Sequence, residues 1–167
     1  MSRRHITGFT LLELMVTVSI AAILLALALP SFQSSMRSNR VATATNELLA
    51  SLALARSEAV RNTRGAGLCT SADGASCGGG WNSGWLVWAD TNGDGLVDAG
   101  ETVIRYSQGK ASTTITGAAT SIAFTPRGRV VGDVERTIGI VPYDASTPAR
   151  CVTINRTGQT RVAQTAC

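Results

Sequence analysis

Oxygen-bearing side chains between Asp90 and Glu101 offer the clearest coordination chemistry in this 167-residue chain. Asp90, Asn92, Asp94, Leu96 (through its carbonyl), Asp98 and Glu101 fall at positions one, three, five, seven, nine and twelve of one stretch, with Gly95 sixth. That is the spacing of an EF-hand calcium loop, in which roughly six to eight hard oxygens surround a sharp turn. The flanks, Trp85 to Ala89 and Thr102 to Tyr106, read as strands, and an Asp/Asn/Gly cluster between strands is also what a hairpin turn needs. Calcium is the one cofactor suggested, beside that plainer reading. A second set is Arg127, Arg129, Arg150, Arg156 and Arg161. Guanidinium forks suit phosphates, so these residues read either as a DNA patch or as a solvated basic face. Four cysteines, Cys69, Cys77, Cys151 and Cys167, allow three pairings. The pairs Cys69–Cys77 and Cys151–Cys167 would each close a short local loop, and the second would pin the carboxyl terminus. Zinc is the rival, but no Cys-x-x-Cys pair occurs and the only histidine is His5. There is no nucleophile elbow, phosphate loop or histidine beyond His5, so an enzyme is not expected.

One long apolar segment, and the shorter runs beyond it, must position these groups. From Phe9 to Leu29 only Thr10, Glu13, Thr17 and Ser19 are polar. About 20 residues at a rise of ~1.5 Å span a hydrocarbon core of ~30 Å. Arg3 and Arg4 before the run favour a cytoplasmic amino terminus. No small-residue cleavage site comes after the run, which argues against a conventional secretory signal. Glu13 is out of place, since a carboxylate at the centre of a membrane helix costs about 2.5–3.5 kcal/mol on insertion scales. Either it lies shallow enough to reach the headgroups, or it pairs with a positive group on a neighbouring subunit.

Pro30 predicts a kink, after which the helical pattern resumes. Val41, Thr45, Leu48, Leu52, Ala55 and Ala59 recur at steps of four and three, with Leu49 and Ala53 widening the stripe. The helix is expected from about Phe9 to about Val60, roughly 75 Å of it, and Asn62-Thr63-Arg64-Gly65 ends it. Seven short β-branched or aromatic runs come next: Ala66–Thr70, Gly84–Ala89, Thr102–Ser107, Ser121–Thr125, Thr137–Val141, Cys151–Asn155 and Thr160–Ala163. Ser71 to Ser83 reads as a loop. A long helix followed by strands alone implies an α+β fold with antiparallel sheets. The parts are a leader at 1–8, a membrane segment at 9–30, a second helical half at 31–64 and a β-rich head at 65–167. The 15 lysines and arginines, less Arg3 and Arg4, leave 13 against 11 acidic residues, a net +2 that does not by itself imply a nucleic-acid partner.

The stretch Gly8-Phe9-Thr10-Leu11-Leu12-Glu13 behind a basic leader resembles the class III signal of type IV pilins and type II secretion pseudopilins. The resemblance implies cleavage by a prepilin peptidase between Gly8 and Phe9, methylation of the new Phe9 amino terminus, and pairing of Glu13 with a neighbour's amino terminus during assembly. Leu54-Ala55-Arg56-Ser57-Glu58-Ala59, the cysteine loop, Gly84-Trp85-Leu86-Val87-Trp88, Phe124-Thr125-Pro126-Arg127-Gly128 and a cysteine-closed tail extend it. Their order is similar to the GspH/FimT family of minor pilins and pseudopilins. The function it implies is a non-enzymatic subunit that enters or primes a type IV pilus or type II secretion pseudopilus. Its implied partners are the prepilin peptidase, other pilins and an inner-membrane assembly platform. The implied location is the inner membrane, single-pass, with a periplasmic head. Family members that bind DNA for natural transformation carry Gly-Arg-x-Arg near the carboxyl terminus. Here Gly158-Gln159-Thr160-Arg161 stands in that place, so the alternative is a DNA-binding minor pilin using Arg156 and Arg161, with Gln159 a departure from the pattern.

Overall fold

The computed structural model describes residues 9–98, 100–110, 113–143 and 148–167. The leader at 1–8, including Gly8 of the expected cleavage site, lies outside them. The elements are one helix, α1 (Leu11–Asn62), and strands β1 (Ala66–Thr70), β2 (Gly84–Ala89), β3 (Thr102–Gln108), β4 (Thr113–Gly117), β5 (Ser121–Phe124), β6 (Arg136–Pro142), β7 (Arg150–Ile154) and β8 (Thr160–Ala163), with a short 3-10 turn at Trp81–Ser83 before β2. The chain divides into two compact units, Met1–Met36 and Arg37–Cys167.

In the first unit the described residues form a capped helix with bare apolar sides. Thr10 Oγ1 accepts the Glu13 amide at 3.2 Å, and the Thr10 carbonyl takes the Leu14 amide at 3.1 Å. Every large apolar side chain from Phe9 to Phe32 is half or more exposed. A window of α1 reaches a mean hydropathy of 2.5 with none of it buried, long and apolar enough to cross a membrane. α1 continues through Pro30. The ring deprives the Ala26 carbonyl of its donor, a loss that helices of this composition tolerate.

The second unit is built on the remaining half of α1. Val41, Thr45, Leu48, Leu52, Ala55 and Ala59 are buried, as the stripe predicts. The stripe widens toward Ala44, Ser51 and Glu58, all buried, while Ala53 is exposed and Leu49 half-buried. Two four-stranded antiparallel sheets, ordered β3-β2-β1-β5 and β4-β6-β7-β8, supply the rest of one core. Leu68, Trp85, Val87, Ile122 and Phe124 face it from the first sheet, and Ile115, Ile138, Ile140, Val152 and Ile154 from the second. Each such side chain contributes about 1.5–3 kcal/mol on burial. Two polar groups inside it are matched, since Trp85 Nε1 donates to Ser51 Oγ at 3.0 Å and Thr45 Oγ1 donates back to the Val41 carbonyl at 2.7 Å, whereas buried Ser107 Oγ, on the residue opposite Trp85, has no partner among the described residues.

Alternation along β2 sends Leu86 and Trp88 to the other face of the first sheet, where they meet Cys69, Ala123 and Val97 in a second, smaller cluster. β4 is a strand that the sequence pattern misses, because Ile115 is its only large apolar residue. The region 71–83 is also not wholly a loop, since the Trp81–Ser83 turn closes it.

Candidate functional site

Four places carry the residues singled out in the sequence. The first is the start of α1. Thr10 and Glu13 hold the N-cap and N3 positions of a capping-box sequence, so Glu13 begins the helix as well as charging it. A carboxylate in the first turn also lies where the helix dipole favours negative charge. The Glu13 side chain makes no ion pair among the described residues. The signal for this cap, Thr-x-x-Glu before an apolar run, was present in the sequence.

The second place is the turn from Asp90 to Glu101. Asp90 is buried, and its two carboxylate oxygens accept the amides of Gly93 and Gly95. Its backbone amide bonds the Gly65 carbonyl at 3.0 Å, docking the turn on the end of α1. There Thr63 takes a left-handed φ of 59°, and the Asn62 side chain caps the Arg64 and Gly65 amides. Asp94 caps the Leu96 amide, Asn92 donates to Asp94 and Asp98, and Glu101 accepts from Thr91 and Asp98. The expected ligands thus share one loop, yet no three carboxylate, histidine or cysteine groups among the described residues converge as a metal cage. Most of their side-chain oxygens accept hydrogen bonds from the loop's own backbone and side-chain amides.

The third place unites three sequence motifs that lie far apart along the chain. Arg56 of α1 reaches two turns at once. Its Nε donates to the Gly128 carbonyl at 3.0 Å and its Nη2 to the Thr157 carbonyl at 3.1 Å. A Cβ on Gly158, whose φ is +78°, would sit 2.1 Å from the Gly128 carbonyl oxygen, so these turns touch backbone to backbone. The Ala55-Arg56 segment, Pro126-Arg127-Gly128 and Gly158 are therefore one junction. Elsewhere on α1, Glu58 accepts from Arg61 at 2.7 and 2.9 Å, and Glu47 pairs with Lys110 at 3.0 Å.

The fourth is the covalent frame. Cys69 pairs with Cys77 and Cys151 with Cys167, the pairing expected from loop length, and no described cysteine is free. Inside the first loop Asp73 accepts from the Ser71 and Ser76 hydroxyls and from the Ala75 and Ser76 amides. Those bonds, the backbone ones first, hold its carboxyl well below the usual carboxylate range. Of the arginine set, Arg129 is paired with Asp133. Arg156 lies exposed in the β7–β8 turn, where its carbonyl accepts the Val130 amide, and Arg161 is exposed on edge strand β8.

Residues 3–29 match the prokaryotic N-terminal methylation motif, and residues 44–158 match the type II transport protein GspH family. No curated relative matches the chain. Two solved structures of the type IV minor pilin FimU of Pseudomonas aeruginosa are similar to it. One, in space group P21, is 26% identical with a TM-score of 0.60, covering 75% of this chain and 89% of FimU. The other, in P65, is 25% identical with a TM-score of 0.57, covering 72% and 90%. The matched family spans more than half of the chain and includes the Arg56 junction, so the protein belongs to the type II transport protein GspH family, as a minor pilin or pseudopilin with an N-terminal methylation motif.

Proposed function

We propose that this chain is a filament subunit, cut behind Gly8, methylated at Phe9 and inserted by its apolar helix among related subunits. The observation that carries the reading is the capped, wholly bare apolar helix at Phe9–Phe32 in a chain of this family. Such a surface has no place in water and is matched by lipid before assembly and by like helices after it. The head then resides in the periplasm with the amino terminus cytoplasmic, in keeping with Arg3 and Arg4. Glu13, without an ion pair among the described residues of its own chain, takes the new amino terminus of a neighbour as its partner. A head-to-tail contact that does not close on itself yields a filament.

The likeness to FimU favours a type IV pilus as the filament. The test is a clean deletion with complementation, counting surface pili by electron microscopy. Loss of pili restored by the wild-type gene supports the reading. Unchanged pili with lost enzyme secretion would move the subunit to a type II secretion pseudopilus.

A further inference from the structure

We propose that a groove on the outer face of the first sheet receives a single basic side chain, lysine or arginine, from a neighbouring subunit. The groove encloses about 290 Å3 beside β3, the exposed edge strand of its sheet. Leu86, Trp88, Val97 and Val103 give it apolar walls, and the acidic residues Asp98 and Glu101 complete its lining. No lysine or arginine is among its lining residues. Small-molecule sites run from about 300 to 1,000 Å3, so this volume suits one long side chain better than a cofactor. Apolar walls for a methylene stem and carboxylates for a charged head are what an amphipathic cation needs.

The carboxylates are also fixed in advance. Glu101 accepts the Thr91 amide at 3.0 Å and the Asp98 amide at 3.2 Å, and Asp98 accepts from Asn92 at 2.8 Å. The ion pairs of the described residues engage Glu47, Glu58 and Asp133, not these two. Two ordered acids over an apolar floor, without a cation of their own among the described residues, are complementary to a basic partner. That the partner is a subunit rests on the filament reading above; the chemistry of the groove does not.

The experiment therefore has two arms. Full-length protein in detergent micelles, 15N-labelled at tryptophan, is titrated with N-acetyl-arginine amide, N-acetyl-norleucine amide and calcium chloride. The indole resonance of Trp88 is assigned with Trp88→Phe. The arginine probe should shift Trp88 saturably while leaving Trp81 and Trp85 in place. The Asp98→Asn/Glu101→Gln double variant should weaken it about fivefold. Val103→Arg, which fills the groove from within, should abolish it without unfolding the head. No shift, an equal shift with norleucine, or an equal shift with calcium overturns the proposal. In cells, a photo-crosslinker at Ala75, an exposed residue of the groove lining, should join a lysine- or arginine-bearing peptide of another filament subunit, and the double variant should lose that product. Crosslinks indifferent to the two carboxylates, in filaments that still contain the chain, overturn the groove alone. Absence of the chain from every filament overturns the assembly reading and leaves the titration to judge the groove chemistry.

Discussion

Replacing Arg56 by alanine should unfold the head at markedly lower temperature, although Arg56 lies off the main apolar stripe. The perturbation removes two charge-assisted hydrogen bonds, to the carbonyls of Gly128 and Thr157, and leaves two turns without their common clamp. The half-buried bond to Gly128 is worth about 1.5–3 kcal/mol and the exposed bond to Thr157 about 0.5–1 kcal/mol, so the loss is about 2–4 kcal/mol. Against a total stability of about 5–15 kcal/mol that is a large share. At about 2.1 cal/mol/K per residue for the unit Arg37–Cys167, it lowers Tm by about 7–15 °C. Arg56→Lys keeps the charge but lacks the fork, reaches one carbonyl at a time, and should fall between. The assay is a thermal melt of detergent-solubilised protein followed by tryptophan fluorescence, which reports buried Trp85 and Trp88 rather than the membrane helix. An alanine variant melting within about 2 °C of wild type, where typical mutational scatter lies, would refute the clamp.

The same geometry sets three further outcomes. Cys151→Ser/Cys167→Ser should cost about 3 kcal/mol and Cys69→Ser/Cys77→Ser about 2.5 kcal/mol by loop-closure entropy over separations of 16 and 8 residues, and the wild-type chain should show no free thiol under denaturation. Asp73 has a folded pKa below its unfolded one, so its contribution is complete above the ordinary carboxyl value near ~3.9 and is lost as pH falls through the folded pKa. The amide resonances of Ala75 and Ser76 should therefore stay flat through that ordinary value; a midpoint near ~3.9 would contradict the hydrogen-bond assignment. Calcium at millimolar concentration should leave Tm unchanged, because Asp90 turns both carboxylate oxygens to the Gly93 and Gly95 amides and no three acids of the described residues converge; a rise with calcium that a chelator reverses would show that the loop reorganises into a cage.

How much of this was legible depended on how local each signal was. The apolar stripe of α1 and three strand boundaries, Ala66–Thr70, Gly84–Ala89 and Thr160–Ala163, coincide with the sequence reading, because periodicity and β-branched runs act over a few residues. β4 escaped because Thr113-Thr114-Ile115-Thr116-Gly117 offers one apolar side chain, and its place is decided by pairing with β6. The stripe widened to Ala44, Ser51 and Glu58 rather than to Ala53, a matter of which flank the sheets cover. Ser51 is buried for a partner 34 residues away, Trp85, which no helical pattern reveals. The role of Arg56 has no local signal, because its acceptors come from turns 72 and 101 residues further on. The calcium spacing identifies a series of oxygens, but such a series does not say whether they face an ion or the loop's own amides.

Whether this chain is a processed filament subunit is decided by mass spectrometry of its amino terminus in sheared, purified filaments. The chain should be present there with an N-methylated Phe9 as its first residue, and its abundance should fall in a Glu13→Ala strain. Filaments devoid of the chain, with an unprocessed Met1 terminus retained in the membrane, would contradict it.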